Sequence, residues 1–137
     1  MDNRFKFRVW KQDNWGYNFK NEFVKQKPHY EYFELNNNIL FMKNDIIEQS
    51  TGLKDSDGNL IYEGDILKDN QGRIAKVYWS VTWCEFEVVY AYNNTDTVYS
   101  FTDWAYEKRC RTKVIGNIHE NKDLLEDNND RIHNNKT

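Results

Sequence analysis

The feature that most constrains the fold is a segment rich in turn-forming residues that lies between two short apolar runs, Gln49–Lys68. Its Asp57-Gly58 pair is typical of a tight turn, because glycine tolerates positive φ and aspartate hydrogen-bonds its own backbone. Gly52 and Gly64 lie on either side of this pair, and we expect Gly64 to adopt positive φ. The segment therefore predicts short strands joined by tight turns rather than long helices.

A β-hairpin is predicted directly after the Gly64 turn. Asp65–Lys68 and Arg73–Val77 have strand-forming sequences, and Asp69–Gly72 between them consists of turn-forming residues. Strands that pair across so short a turn are antiparallel. We expect this hairpin to anchor an antiparallel sheet.

The clearest periodicity in the chain runs from Val77 to Tyr92. Apolar and polar residues alternate there, which places Cys84 and the aromatic residues after it on one face of a half-buried strand. We therefore predict a strand with Cys84 in the core, and a returning strand over Thr97–Thr102. At the start of the chain, Phe5–Trp10 alternates in the same way, and Asn14-Trp15-Gly16 is predicted to turn the chain.

Aromatic residues dominate the apolar content. They make up 16% of the 137 residues, within a hydrophobic share of 39%, and they favour strands because they pack well on a pleated surface. A chain of this length forms one domain with a core of its own. We predict a mostly β fold, with one domain over residues 1–126 and a disordered polar tail over residues 127–137, which cannot bury enough apolar surface to order itself.

Charge, cysteine content and hydropathy exclude several classes of protein. The net charge of −3 gives no overall field that would attract nucleic acid or an acidic membrane surface. Cys84 and Cys110 are too few for a disulfide scaffold and lack metal-ligand spacing. No apolar run has the length of a signal peptide or a membrane span. We therefore expect a cytoplasmic protein.

Three blocks of sequence reach from the first ten residues to near the end of the chain: Phe7–Trp10, Thr51–Ile66 and Val114–Asn121. In this order they resemble the YopX family, a group of small bacteriophage and prophage proteins without an assigned activity. The motif residues of the middle block are Gly52, Asp57, Gly58, Tyr62, Glu63, Gly64 and Asp65. The resemblance implies a protein of the bacterial host cell's cytoplasm. It also implies an SH3-like antiparallel barrel over residues 49–126, with residues 1–48 as an appended N-terminal β subdomain.

No residue set typical of an enzyme is found in the sequence. Glu63 and Asp65 flank Gly64, and two nearby carboxylates can act as acid and base or bind a hard cation. We expect instead that Asp65 accepts hydrogen bonds from turn amides and that Glu63 lies in solvent. The histidines form no pair at ligand spacing, and no serine or glycine-rich motif of nucleophiles or phosphate cradles is found. We predict a protein that is not an enzyme and needs no cofactor or metal.

A local aromatic and basic patch is the strongest candidate for nucleic-acid binding. Arg109, Arg111 and Lys113 are predicted to share one side of a strand that follows aromatic residues. Bases stack on rings and phosphates pair with cations, so such a patch can bind nucleic acid despite the acidic total. The alternative is a solvated edge or an oligomer contact. The candidate residues are Trp104, Tyr106, Lys108, Arg109, Arg111 and Lys113.

Trp79 and Trp83 are the candidate contacts for a protein partner, because large rings bury much area at low entropic cost. The alternative is that some tryptophans fill the core. We predict a non-enzymatic accessory protein that binds a host or phage protein and forms a homo-oligomer. The second hypothesis is a nucleic-acid-binding module that uses the aromatic and basic patch.

Overall fold

The computed structural model of the chain describes residues 3–12, 14–34, 44–92, 95–107 and 109–125. A 3-10 turn, Asn3–Phe5, precedes strands β1 to β4, which are Lys6–Lys11, Asn14–Tyr17, Phe23–Gln26 and His29–Glu34. Strands β5 to β9 are Ile46–Lys54, Leu60–Tyr62, Asp65–Asp69, Ile74–Ser80 and Glu85–Tyr92. The remaining elements are β10 (Thr95–Ser100), helix α1 (Phe101–Glu107), a 3-10 turn (Arg109–Arg111) and β11 (Thr112–Asn117).

The strands form three antiparallel sheets. A four-stranded sheet has the order β4-β1-β5-β6, and a five-stranded sheet has the order β10-β9-β8-β7-β11. Strands β2 and β3 pair with each other in a separate two-stranded sheet. The predicted mostly β fold is therefore confirmed. The SH3-like barrel is not confirmed, since no sheet closes on itself within the described residues.

Strand β5 connects the N-terminal part of the chain to the rest. The subdomain boundary predicted between residues 48 and 49 falls inside this strand. Residues 46–49 pair with β1, whereas Ser50 and Lys54 pair with β6. The N-terminal strands β1 and β4 therefore complete a sheet with later strands and do not stand apart as a separate β unit.

The main hydrophobic core joins the five-stranded sheet to β6 and α1. Ala75 and Val77 on β8 lie directly opposite Tyr90 and Val88 on β9, so both pairs point into the core. Each large apolar side chain that is fully buried in this way contributes about 2 kcal/mol. The other buried members are Ile61, Leu67, Phe101 and Trp104.

The Gly64 turn has the backbone geometry that the sequence predicted. Gly64 adopts φ +84° and Gly58 adopts φ +86°. The amide of Gly64 donates to the main-chain oxygen of Val77 at 2.7 Å, and its own oxygen accepts from the amide of Ile118 at 2.8 Å. The turn therefore ties β8 and the segment after β11 to the start of β7.

The prediction of one continuous strand over Val77–Tyr92 is wrong. A turn at residues 81–84 divides it into β8 and β9. Cys84 lies in that turn, is exposed and adopts φ +52°, so the prediction that it lies in the core is also wrong. The returning strand stops at Ser100 because the Ser100 hydroxyl accepts the amide of Asp103 at 3.3 Å and caps helix α1.

Asn14-Trp15-Gly16 belongs to strand β2 and does not turn the chain. The reversal lies instead at residues 18–22, between β2 and β3. The predicted tail over residues 127–137 lies outside the described residues. Within the part of the chain that the structure covers, no helix has the length and hydropathy needed to cross a membrane.

Candidate functional site

A buried ion-pair cluster joins the two larger sheets beside the Gly64 turn. Arg8 on β1 donates from Nε to Glu48 Oε1 at 2.9 Å, and a terminal guanidinium nitrogen lies 2.8 Å from Asp65 Oδ1. Arg8 also donates to the main-chain oxygen of Glu63 at 3.1 Å. All three charged side chains that pair here are buried. Removing one of them would leave an uncompensated charge in the interior.

Aromatic rings and His119 enclose this cluster. Tyr30 Oη donates to Glu48 Oε1 at 2.7 Å, and His119 Nε2 lies 3.1 Å from Glu48 Oε2. The ring of Trp10 stacks on His119 with centroids 4.9 Å apart, and the guanidinium of Arg8 lies 4.1 Å from the centre of the Tyr30 ring. Each oxygen of the Glu48 carboxylate therefore has a partner, which fixes the cluster in one arrangement.

Glu63 and Asp65 do not form an exposed acid and base pair. Asp65 is buried and accepts the amide of Tyr62 at 2.8 Å, as the sequence predicted. Burial raises the pKa of Asp65 to about 6. This effect outweighs Arg8 and the hydrogen bond from the Tyr62 amide, which both lower the pKa. Glu63 is half-buried and accepts the amide of Gln49 at 3.0 Å, so the expectation that it lies in solvent was wrong. Burial also raises the pKa of Glu63.

A groove of about 470 Å³ opens beside the ion-pair cluster. Its charged lining residues are two acidic ones, Glu48 and Glu63, and two basic ones, Lys76 and Lys122. This balance does not favour a ligand of one charge. Among the described residues, no three His, Cys, Asp or Glu side chains are grouped closely enough to hold a metal ion.

The predicted aromatic and basic patch does not form as one surface. Trp104 lies wholly inside the core, and its Nε1 donates to Tyr90 Oη at 3.1 Å. Its ring offers no face to a base, so its assignment to this patch was wrong. Tyr106 is exposed on α1, and Lys108 lies outside the described residues.

Part of the patch comes together in a different place. Arg109 and Arg111 lie in the 3-10 turn rather than on a strand with Lys113, so the predicted common side of a strand was wrong. Arg111 and Lys113 instead line a groove of about 380 Å³ beside Lys68. Lys113 Nζ lies 3.5 Å from the Asp57 carboxylate. The other polar residues of this groove are Ser56, Asp69 and Asn70.

Trp79 and Trp83 both reach the surface. Trp83 is 72% exposed and Val81 is 82% exposed, on the turn between β8 and β9. Trp79 precedes this turn on β8 and packs edge-on against Phe86, with ring centroids 5.0 Å apart. We call Trp79 together with residues 81–84 the turn surface.

A second aromatic surface was missed by the sequence reasoning. Strands β2 and β3 with their connecting loop, residues 14–26, carry exposed rings on Trp15, Tyr17 and Phe23. We call this segment the aromatic hairpin. A partial signal was present, because Trp15 and Tyr17 alternate with Gly16 and Asn18, but the prediction places Trp15 in a turn.

These features define a small protein of antiparallel sheets with a buried ion-pair cluster and two exposed aromatic surfaces. The family model of the YopX protein matches residues 6–126, and the chain belongs to the YopX family. Among solved structures, the chain is similar to protein EF1440 from Enterococcus faecalis, with 27% identity and a TM-score of 0.46. That match covers 88% of this chain and 96% of the other. No curated protein matches the chain.

Proposed function

We propose that this chain is a phage or prophage accessory protein that acts without catalysis, by binding a host or phage protein in the bacterial cytoplasm. The turn surface is the contact. The observation that carries this proposal is the exposure of Trp83 and Val81 on a tight turn, where polar residues are the rule. The family resemblance supports the phage or prophage origin.

Backbone strain at the same turn supports a functional role. Cys84 adopts φ +52°, a conformation that glycine or asparagine fills at lower cost. Strained residues persist where the surroundings hold them, and they cluster at binding and switch sites.

The chemistry around the turn surface favours a protein as the partner. The only charged residues between Val77 and Glu87 are Glu85 and Glu87, and Glu87 is buried beside the hydroxyl of Tyr78. An acidic setting repels a phosphate backbone. A large ring with an aliphatic neighbour is the typical anchor that fills a pocket on a partner protein.

Self-association is the second part of the proposal, and the edge strand β10 is its contact. One side of β10 pairs with β9, and no described strand pairs with the other side. Thr95–Ser100 contains none of the lysine, arginine or proline residues that protect open edges. Two copies that pair β10 antiparallel would continue the sheet across a two-fold axis.

Nucleic-acid binding is the alternative function, and the groove beside Lys68 favours it. Lys68, Arg111 and Lys113 line this groove. The Asp69 carboxylate, which also lines it, accepts Arg73 Nε at 2.8 Å and two turn amides. Its charge is therefore already compensated. Lys113 is paired with Asp57, so Lys68 and Arg111 are the cations that the groove offers a phosphate.

Capture from bacterial lysate, with and without nuclease, distinguishes these functions. We expect tagged chain to retain a protein partner after nuclease treatment. Loss of every partner after nuclease would contradict the protein-binding proposal and favour nucleic-acid binding. The Arg111→Ala/Lys113→Ala variant is the matched control, because it alters the groove and leaves the turn surface intact.

A further inference from the structure

The aromatic hairpin gathers its rings on one face. Trp15 lies opposite Lys25 and Tyr17 lies opposite Phe23 in the antiparallel register, so these four side chains share a face. The three rings are 57%, 67% and 60% exposed in chain order. The Trp15 and Phe23 rings are nearly parallel, at 24°, with centroids 5.9 Å apart. The face is therefore a continuous platform of exposed rings.

The loop of the hairpin is held in a defined shape by Asn18. Asn18 Oδ1 accepts hydrogen bonds from the main-chain amides of Lys20 and Glu22 at 2.9 and 3.0 Å. The main-chain amide of Asn18 donates to the main-chain oxygen of Glu22 at 3.0 Å. Phe19 at the tip is fully exposed. Because the loop is fixed, the ring platform is organised before any ligand arrives, which lowers the entropic cost of binding.

The hairpin is basic although the protein is acidic. Residues 14–26 contain two lysines, Lys20 and Lys25, and one acidic residue, Glu22, which gives +1 against a total of −3 for the chain; Lys27 follows directly after the hairpin and Asp13 precedes it. The Glu22 carboxylate already accepts Asn18 Nδ2 at 2.8 Å. All three lysines are exposed. Positive charge is therefore concentrated beside the rings.

We propose that the aromatic hairpin binds single-stranded nucleic acid. Bases of any nucleic-acid sequence stack on exposed rings, and lysines pair with the phosphates between the bases. This combination is absent from the turn surface, whose nearby charges are acidic. Lysine is depleted in protein interfaces, and two copies of a hairpin with net positive charge repel each other, so neither a protein partner nor a second copy fits this face as well. The proposal does not depend on protein binding at the turn surface.

Binding of a dye-labelled single strand of about 12 mixed-sequence nucleotides, followed by fluorescence anisotropy, tests this proposal. We expect Trp15→Ala/Phe23→Ala to weaken binding at least tenfold, and Phe19→Ser, at a tip with no packing to lose, to weaken it measurably. We expect Lys20→Gln/Lys25→Gln/Lys27→Gln to reduce the slope of log Kd against log salt by about 2. Denaturation curves confirm that each variant is folded.

Matched variants show which surface of the protein binds the oligonucleotide. Trp83→Ala is expected to leave oligonucleotide affinity unchanged, even though it alters the turn surface. If only Arg111→Ala/Lys113→Ala weakens binding, the site is the groove and the hairpin proposal is overturned. It is equally overturned if the hairpin variants keep full affinity, if they change only the molar mass measured by light scattering, or if they lose binding to anionic lipid vesicles but not to the oligonucleotide.

Discussion

At the scale of single residues, two aspartates build two loops of the same design. Asp55 accepts the amides of Asp57 and Asn59, and Asp69 accepts the amides of Gln71 and Arg73, all at 2.8 to 2.9 Å. In each loop a glycine with positive φ follows three residues after the aspartate. The pattern of aspartate and glycine was readable in the sequence, because all of these bonds are local.

Asp55 does more than close its own loop, and its loss is predicted to be costly. Its second carboxylate oxygen accepts a hydrogen bond from the amide of Val114 at 2.9 Å. Burial acts to raise the pKa of Asp55, but the hydrogen bonds from these amides outweigh it and lower the pKa. We predict that Asp55→Ala lowers the free energy of unfolding by about 3 kcal/mol, because three amides lose their acceptor. Asp57→Ala is the control, expected to cost less than about 0.5 kcal/mol, since its ion pair with Lys113 is exposed. Urea denaturation measures both, and equal losses would contradict this role.

Gly64 is predicted to be irreplaceable for two reasons that can be separated. Gly64 and Gly58 both adopt positive φ, but a side chain at Gly64 would overlap the Glu48 carboxylate, whereas nothing lies within 4 Å at Gly58. Gly58→Ala should therefore cost about 1 kcal/mol of backbone strain, and Gly64→Ala at least about 2 kcal/mol more. Thermal or urea denaturation checks this, and similar losses at both positions would mean that the ion-pair cluster yields to the added methyl group.

Asp65 is predicted to make stability depend on pH. Its pKa of about 6 in the folded chain lies above the ordinary 3.8, so the folded state binds this proton more tightly than the unfolded state. The resulting stabilisation is complete below about pH 4 and is lost as the pH rises through 6. The free energy of unfolding of the unaltered chain minus that of Asp65→Asn should therefore fall by up to about 3 kcal/mol between about pH 4 and pH 7. A difference that grows with pH would show that pairing with Arg8 outweighs burial.

At the scale of elements, the strand β10 is the feature with the most direct consequence. It ends the five-stranded sheet, and Val98 at its middle is exposed. We predict that Val98→Lys reduces the molar mass in solution to that of a monomer, because a lysine at an open edge opposes pairing between copies. Light scattering measures this. Thr97→Ser is a conservative control on the same strand, and an unchanged oligomer in Val98→Lys would exclude β10 as the contact.

Elements defined by local signals were predictable, and those defined by distant contacts were not. The β7–β8 hairpin followed from Asp69–Gly72 alone. Helix α1 was missed because Phe101 continues the strand alternation of Tyr99, whereas the three-residue spacing of Phe101 and Trp104, which both contact β9, is that of a helix. The Ser100 cap, with Asp103 three residues later, was the local signal that could have revealed the helix.

At the scale of the whole molecule, charge and aromatic surface are separated into regions. The turn surface is aromatic with acidic neighbours, the aromatic hairpin is aromatic and basic, and the groove beside Lys68 is basic without rings. The net charge of −3 hides this separation. The ion-pair cluster was equally hidden, because Arg8, Glu48 and Asp65 meet only through folding. Glu48 lies 40 residues from Arg8 along the chain. The sequence therefore did not reveal which distant residues the fold brings together.

The most direct test of the central claim compares capture of a protein partner by the unaltered chain and by Val81→Ser/Trp83→Ala, after nuclease treatment. Both substituted side chains are exposed, so we expect an unchanged denaturation midpoint. Tyr106→Ala is the control, because it removes an exposed ring from a different surface, on α1. We predict that the double variant captures at most about a tenth of the partner, while Tyr106→Ala captures all of it. Equal capture by all three chains would contradict the assignment of the turn surface.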